Sequence, residues 1–227
     1  MNVITPSKEQ SKRSAADIFA AFEYQWNYFV LMLLKENDDT ATVSFELHDD
    51  VDTQTEEGIT LYQIKHSVRK SSKGKTINLS NRDTDLWKTI SIWMKFIEEQ
   101  PDFLENSTFQ LITNKEISEN AFVKAVEAYK ETLSDDELKS AIDAIKETER
   151  VKNGIVTPNT SKKKGLDVSN IITELLDKPY WGEFCKRITI SRTADILKEK
   201  IKNTISSRFG IIPEHINEVY GPLMTKL

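Results

Sequence analysis

The chain has 227 residues, 38% of them hydrophobic, a single cysteine and a formal net charge of −5. That length buries a core without disulfides or structural metal, and the one thiol, Cys185, rules out an internal disulfide and fits a reducing cytoplasm. The acidic balance argues against a nonspecific nucleic-acid coat protein, and no apolar run is long enough to span a bilayer.

Residues 1–13 read as a polar arm without the apolar segment of a secretory signal. Ser14 is placed to cap a helix predicted to run to about residue 36. Its Ile18, Phe19, Phe22, Trp26, Phe29, Val30 and Leu33 recur at three- and four-residue spacings on one face. Asn37-Asp38-Asp39 ends it. Residues 40–48 alternate, with Val43, Phe45 and Leu47 on one side and Thr42, Ser44 and Glu46 on the other, which predicts a half-buried strand. A turn at Glu56-Glu57-Gly58 leads to a second strand over 59–67, and the two are expected to form a hairpin. A basic loop over 68–76 precedes a helix over 82–100, whose Leu86, Trp87, Ile90, Trp93, Met94 and Ile97 face inward until Pro101 stops it. A short strand follows at 108–113. Helices are then predicted at 118–132, 134–152 and 166–177, a strand near 187–190, and helices near 192–208 and 213–226. The expected class is α/β, with a strand-containing core over 14–116 and an α-helical half over 117–227. That second half either completes the same domain or forms an assembly surface. Cys185, beside Phe184 and Ile188, reads as a small buried hydrophobe.

Charge is unevenly spread. Residues 36–58 hold nine acids, whereas the next stretch carries Lys65, His66, Arg69, Lys70, Lys73 and Lys75 with no acid among them. A second basic cluster is Lys162-Lys163-Lys164. Centring the hairpin on Glu57-Gly58 sets Asp52 opposite Gln63 and Asp50 opposite Lys65. Alternation then puts Glu46, Asp50, Asp52, Gln63 and Lys65 on one face and turns Val51 and Ile64 toward the core. Adjacent carboxylates repel, and a hard divalent cation with oxygen ligands relieves that repulsion. Gln63 can offer its amide oxygen and Ile64 its carbonyl. Lys65 can stabilise developing negative charge or orient water, so the pattern points to metal-assisted phosphodiester hydrolysis. Spacing alone leaves open a solvated acidic hairpin edge whose surface ion pairs contribute at most about 1 kcal/mol. His48, His66 and His215 are too scattered for a zinc site. Tyr24, Trp26 and Tyr28 read as core. Gln25 could orient metal ligands or satisfy a buried backbone group. Arg69, Lys70, Lys73 and Lys75 are placed to touch phosphates beside the reacting bond, and Lys162, Lys163 and Lys164 to grip further away.

Asp50-Val51-Asp52 followed by Tyr62-Gln63-Ile64-Lys65-His66-Ser67 resembles the nuclease core of the PD-(D/E)xK superfamily in its Q-x-K variant. More closely it resembles the double-stranded DNA endonuclease domain on effectors of bacterial anti-phage defence systems, including CD-NTase-associated ones. Phe22-x-Tyr24-Gln25, Asp85-Leu86-Trp87-Lys88 with Trp93, and Ile112-Thr113-Asn114 match as well, so the likeness spans about residues 15–115. The chain reads Ser14-Ala-Ala-Asp-Ile-Phe-Ala-Ala where that family often has glycine and arginine. The resemblance implies a restriction-endonuclease-like mixed sheet flanked by helices and Mg²⁺-dependent cleavage of duplex DNA, with Mn²⁺ able to substitute. It carries onto Asp52 first and Asp50 second as the metal-binding aspartate, Gln63 in place of the usual acid, and Lys65 as the catalytic lysine. Glu46, and Glu23 on the first helix, are further candidate ligands. It also implies control by self-assembly or by an ATPase or sensor subunit. Two alternatives stay open: a nuclease-fold assembly subunit that no longer cuts, and an RNase of the same fold.

Overall fold

A computed structural model describes residues 15–67, 77–132, 134–146, 150–152, 155–157, 167–193 and 196–226. Helix α1 (Ala15–Lys35) leads into strands β1 (Thr42–Phe45), β2 (Val51–Thr55) and β3 (Gly58–Lys65). Helices α2 (Thr84–Glu99) and α3 (Asp102–Glu105) then precede β4 (Ser107–Thr113). Helices α4 (Ala121–Glu131) and α5 (Asp135–Asp143) are followed by a ribbon of β5 (Arg150–Lys152) and β6 (Ile155–Thr157). Helices α6 (Val168–Asp177) and α7 (Trp181–Arg187), strand β7 (Ile188–Arg192), α8 (Leu197–Phe209) and α9 (Ile216–Lys226) complete the order.

The main sheet has the order β1-β2-β3-β4-β7. Its β1-β2-β3 half is an antiparallel meander, and β3, β4 and β7 run parallel. Parallel neighbours need crossovers, which α2 with α3 and the α4–α7 segment supply. The expected α/β class with a mixed sheet is therefore what the chain adopts. Residues after 117 return to the sheet through β7.

Alternation along the strands sorts two apolar layers. Leu61, Phe109, Leu111, Ile188 and Ile190 face α2 and α4–α7, where Trp87, Trp93, Phe122 and Phe184 are fully buried. Val51, Tyr62, Ile64 and Ile112 face α1 and α8, against Tyr24, Tyr28, Val30, Leu31, Leu197, Ile201 and Ile205. Cys185 sits in the first layer, and burial pushes its thiol up to about 12, as a small hydrophobe would require. Among the described residues no helix is long and apolar enough to cross a membrane.

Three expectations change. The predicted two-strand hairpin is a three-strand meander, because the chain leaves β1 after Phe45 and re-enters at Val51. Leu47 is consequently 67% exposed rather than aligned with Val43 and Phe45. The β2–β3 register also differs: Asp52 lies opposite Leu61 and Val51 opposite Tyr62, because the turn is Glu56-Glu57 and Thr55 already pairs with Gly58. A two-residue slip preserves faces, so Gln63 and Lys65 still share the side of Asp52. Finally, the helix expected over 134–152 stops at Asp143. Its apolar face ends with Leu138 and Ile142, and the Arg82 guanidinium takes the carbonyls of Ile145 and Lys146 (3.3 and 3.0 Å). In the sequence, Asn153-Gly154 between the residues of β5 and β6 is a hairpin signal.

Gly58 has φ +140°, and a Cβ there would lie 2.3 Å from the Asn106 carbonyl oxygen, which accepts from Ile59 N (2.8 Å). Gly58→Ala is expected to destabilise the fold by about 2–3 kcal/mol, read by urea unfolding. A loss under about 0.5 kcal/mol would show that the β3–β4 entry relaxes without cost.

Candidate functional site

Between β1 and β2 the chain makes a tight turn. Glu46 adopts the left-handed conformation at φ 56° and its N–H donates to the Asp50 carbonyl (3.2 Å). Three aspartates fasten this turn in three directions. Asp52, 1% exposed, accepts from His48 N (3.3 Å), and its Oδ1 lies 3.4 Å from His48 Nδ1. Asp50 Oδ2 accepts from Ile64 N at 2.6 Å, one step beyond the last β2–β3 pair. Asp49 Oδ2 accepts from the indole N–H of Trp93 on α2 at 2.7 Å.

The turn walls a cleft of about 300 Å³ lined by Glu46, His48, Asp49, Asp50, Gln63 and Lys65, with Leu47 at the turn and Lys88, Thr89 and Ile92 from α2. Gln63 and Lys65 reach it because β3 continues past the end of β2 while still paired with β4 through Gln63↔Leu111 and Lys65↔Thr113. Burial raises the Glu46 pKa, the Asp50 charge raises it further, and Lys65 opposes both. Burial likewise pushes Asp49 up to about 6, against the Trp93 hydrogen bond and the Lys65 charge that favour its ionised form.

Around the cleft the supports are specific. Asn114 clasps the strand end after Lys65: its Oδ1 accepts from Ser67 N and its Nδ2 donates to Ser67 O, both at 2.9 Å. Lys115, 5% exposed, reaches Asp83 and Asp85 at 2.8 Å each. Burial alone would lower its pKa, but the two carboxylates outweigh it and hold it above the ordinary lysine value. Asp83 also caps α2, accepting from Asp85 N (3.0 Å) and Leu86 N (3.4 Å). The helix that presents Lys88 is thus tied to the end of β4.

Of the residues singled out from sequence, Glu46, Asp50, Gln63 and Lys65 come together. Asp52 lies beneath the turn and does not line the cleft. Ile64 is engaged through its N–H. Glu23 lies on the α1 side of the sheet, paired with Lys198 (2.9 Å), and Gln25, half-buried on α1, does not line the cleft either. Tyr24 and Tyr28 are core, and Tyr24 stacks on His66 with ring centroids 4.6 Å apart. Arg69, Lys70, Lys73, Lys75, Lys162, Lys163 and Lys164 fall outside the described residues. Sequence reasoning passed over Asp49 and Lys88. Asp49 was one acid among many until Trp93 could be seen to hold it. Lys88 carries no signal of its own in the sequence beyond its place in Asp85-Leu86-Trp87-Lys88.

The carboxylate and amide donors in the cleft are oxygens, from Glu46, Asp50, the half-buried Asp49 and Gln63, while the His48 imidazole is turned to Asp52. Among the described residues no three Asp, Glu, His or Cys side chains form a cage for an ion. A cation that takes one or two carboxylates and completes its shell with water fits this set.

The family model described as "Cap4, dsDNA endonuclease domain" matches residues 16–208, from the start of α1 to the last turn of α8. No curated protein matches the chain.

A raised carboxyl pKa favours the fold at low pH, and that contribution is lost as pH rises from the ordinary carboxylate range through about 6. Asp49→Asn, which keeps an oxygen for Trp93, is therefore expected to stabilise the metal-free protein by about 1–3 kcal/mol at pH 8 and about half that at pH 5. Urea unfolding in EDTA reads both. Equal stability of variant and wild type at pH 8 would show that Asp49 carries no ionisation penalty.

Proposed function

The chain belongs to the family of the Cap4 dsDNA endonuclease domain, and on that premise we propose that it hydrolyses phosphodiesters of duplex DNA with Mg²⁺ in the turn-walled cleft. One observation carries the assignment to this place: Glu46, Asp50, Gln63 and Lys65 line a single cleft at the end of β3.

Glu46, Asp50 and the Gln63 amide oxygen would hold the ion, and Mn²⁺ would suit the same donors. When bound, it supplies Lewis acidity toward a phosphate oxygen and acidifies water. The protein's own groups do the rest. Lys65 presents an ammonium beside the carboxylates, where negative charge grows on phosphorus-bound oxygens in the transition state. Asp50 fixes the backbone between Gln63 and Lys65 through Ile64 N, so the two side chains keep their spacing. Asp52 secures the turn from below. This assigns the metal-side role to Asp50 and a supporting role to Asp52, the reverse of the order that the sequence resemblance suggested.

No groove-reading helix-turn-helix signature is present in the sequence, so cleavage is proposed to be weakly sequence-specific. Such an activity endangers its own cell. The fitting context is a cytoplasmic anti-phage effector held in check until it self-assembles or meets an ATPase or sensor subunit, an analogy that rests on family alone.

Supercoiled plasmid incubated with Mg²⁺ is expected to be nicked or linearised at high protein concentration, to survive in EDTA, and to be cut about 10²-fold more slowly by Lys65→Ala. Asp50→Asn should lose cleavage while its amide oxygen still accepts from Ile64 N, so its melting temperature should fall less than that of Asp52→Asn, a substitution that should lower both cleavage and melting temperature. Wild-type cleavage by Lys65→Ala would remove the site from the reaction. An RNA duplex run in parallel tests the substrate.

A further inference from the structure

The cleft holds a second cation that this reading leaves without a task. Lys88 lines it from α2, opposite the strand that carries Lys65. Lys88 is exposed, and among the described residues no carboxylate lies within ion-pair distance of it. We propose that the Lys88 ammonium binds a DNA phosphate flanking the scissile one, a positioning contact distinct from the transition-state role of Lys65.

The inference rests on the nuclease reading above. A cleft of about 300 Å³ cannot enclose a duplex, so the reacting phosphate enters while its neighbours lie along the lip. The two lysines stand on different elements, Lys65 on β3 and Lys88 on α2, and the charge of Lys65 bears on both Glu46 and Asp49. Lys88 makes no ion pair among the described residues, so its charge stays available to an incoming anion. Its backbone is also held: Asp83 and Lys115 fix the start of α2, and Trp93 fixes its middle to Asp49. A freely solvated surface lysine has no such requirement, and α2 supplies one for comparison in Lys95, which is exposed but does not line the cleft.

The test measures binding of the full chain to a fluorescent duplex oligonucleotide in EDTA across a salt series, then steady-state cleavage in Mg²⁺. Lys88→Ala is expected to weaken binding about five- to tenfold at low salt and to reduce the slope of log K against log salt by about 0.9. It should raise KM with kcat held within about twofold, the pattern of a contact made equally in ground and transition states. Lys88→Arg should restore binding, and Lys95→Ala should behave as wild type. All variants should melt with the wild type. Lys88→Ala matching Lys95→Ala in affinity and slope, beside a wild type that cuts, overturns this inference alone. A fall in kcat with KM unchanged overturns it too, since Lys88 would then act on the reacting phosphate. A wild type that neither binds nor cuts duplex DNA overturns the nuclease reading and this inference together.

Discussion

The site depends on one hydrogen bond, Asp50 Oδ2 to Ile64 N at 2.6 Å. Strands β2 and β3 pair regularly from Thr55↔Gly58 to Val51↔Tyr62, and there the ladder stops. A carboxylate takes the place of a backbone carbonyl at the next position, which satisfies the β3 amide and lets the chain swing away into the turn. Charge assistance makes this bond stronger than the neutral one it replaces. Because β2 departs, Gln63 and Lys65 are left without a strand neighbour on that side while β4 still holds them on the other. The cleft is the space that β2 vacates.

An opening of this kind tends to collapse or close with alternate side-chain packing unless its walls are held. Here α2 forms the facing wall and is held at two points. Lys115 and Asp83 make a largely buried ion pair at its N-terminus, joined by half-exposed Asp85, and loss of a buried partner in such a pair costs about 3–5 kcal/mol. Trp93 then links its middle to Asp49 across the cleft floor. Asn114 adds the third constraint by closing the β3 end with a two-way clasp on Ser67. The segments quoted for the sequence resemblance, Asp85-Leu86-Trp87-Lys88 with Trp93 and Ile112-Thr113-Asn114, are thus the ones that shape the walls.

Strand and helix periodicity made much of this legible. The apolar spacing of α2 and the parity that puts Gln63 with Lys65 survive in the fold, because each depends only on local repeat. The face expected for α1 does not: Ile18, Phe19 and Phe22 are exposed, and Tyr24, Tyr28 and Leu31 are buried with Val30 instead. What failed depended on tertiary contacts. The hairpin register could not be placed while Asn106 was unknown, since its carbonyl is what requires Gly58 at the start of β3. Asp52 looked equivalent to Asp50 because strand alternation sends both to one face. Only the turn that tilts Asp50 toward Ile64 and buries Asp52 under His48 separates them. Glu23 shares a sequence region with the site but not a face of the sheet, and helical periodicity carries no information about which face a helix will cover.

A chain of net charge −5 faces a particular difficulty if its partner is a polyanion. At physiological ionic strength a field decays over about 8 Å, so the sum of charges matters less than what lies at the contact. The cleft separates its charges by depth and by wall. Half-buried Asp49 and buried Asp52 are turned to Trp93 and His48, the charge of Lys65 bears on Glu46 and Asp49, and Lys88 lines the cleft from α2. Carboxylates engaged inward repel an approaching phosphate less than they would at the surface, while a lysine that forms no ion pair among the described residues attracts it. Local arrangement of a few side chains can in this way reverse the sign that the composition would suggest.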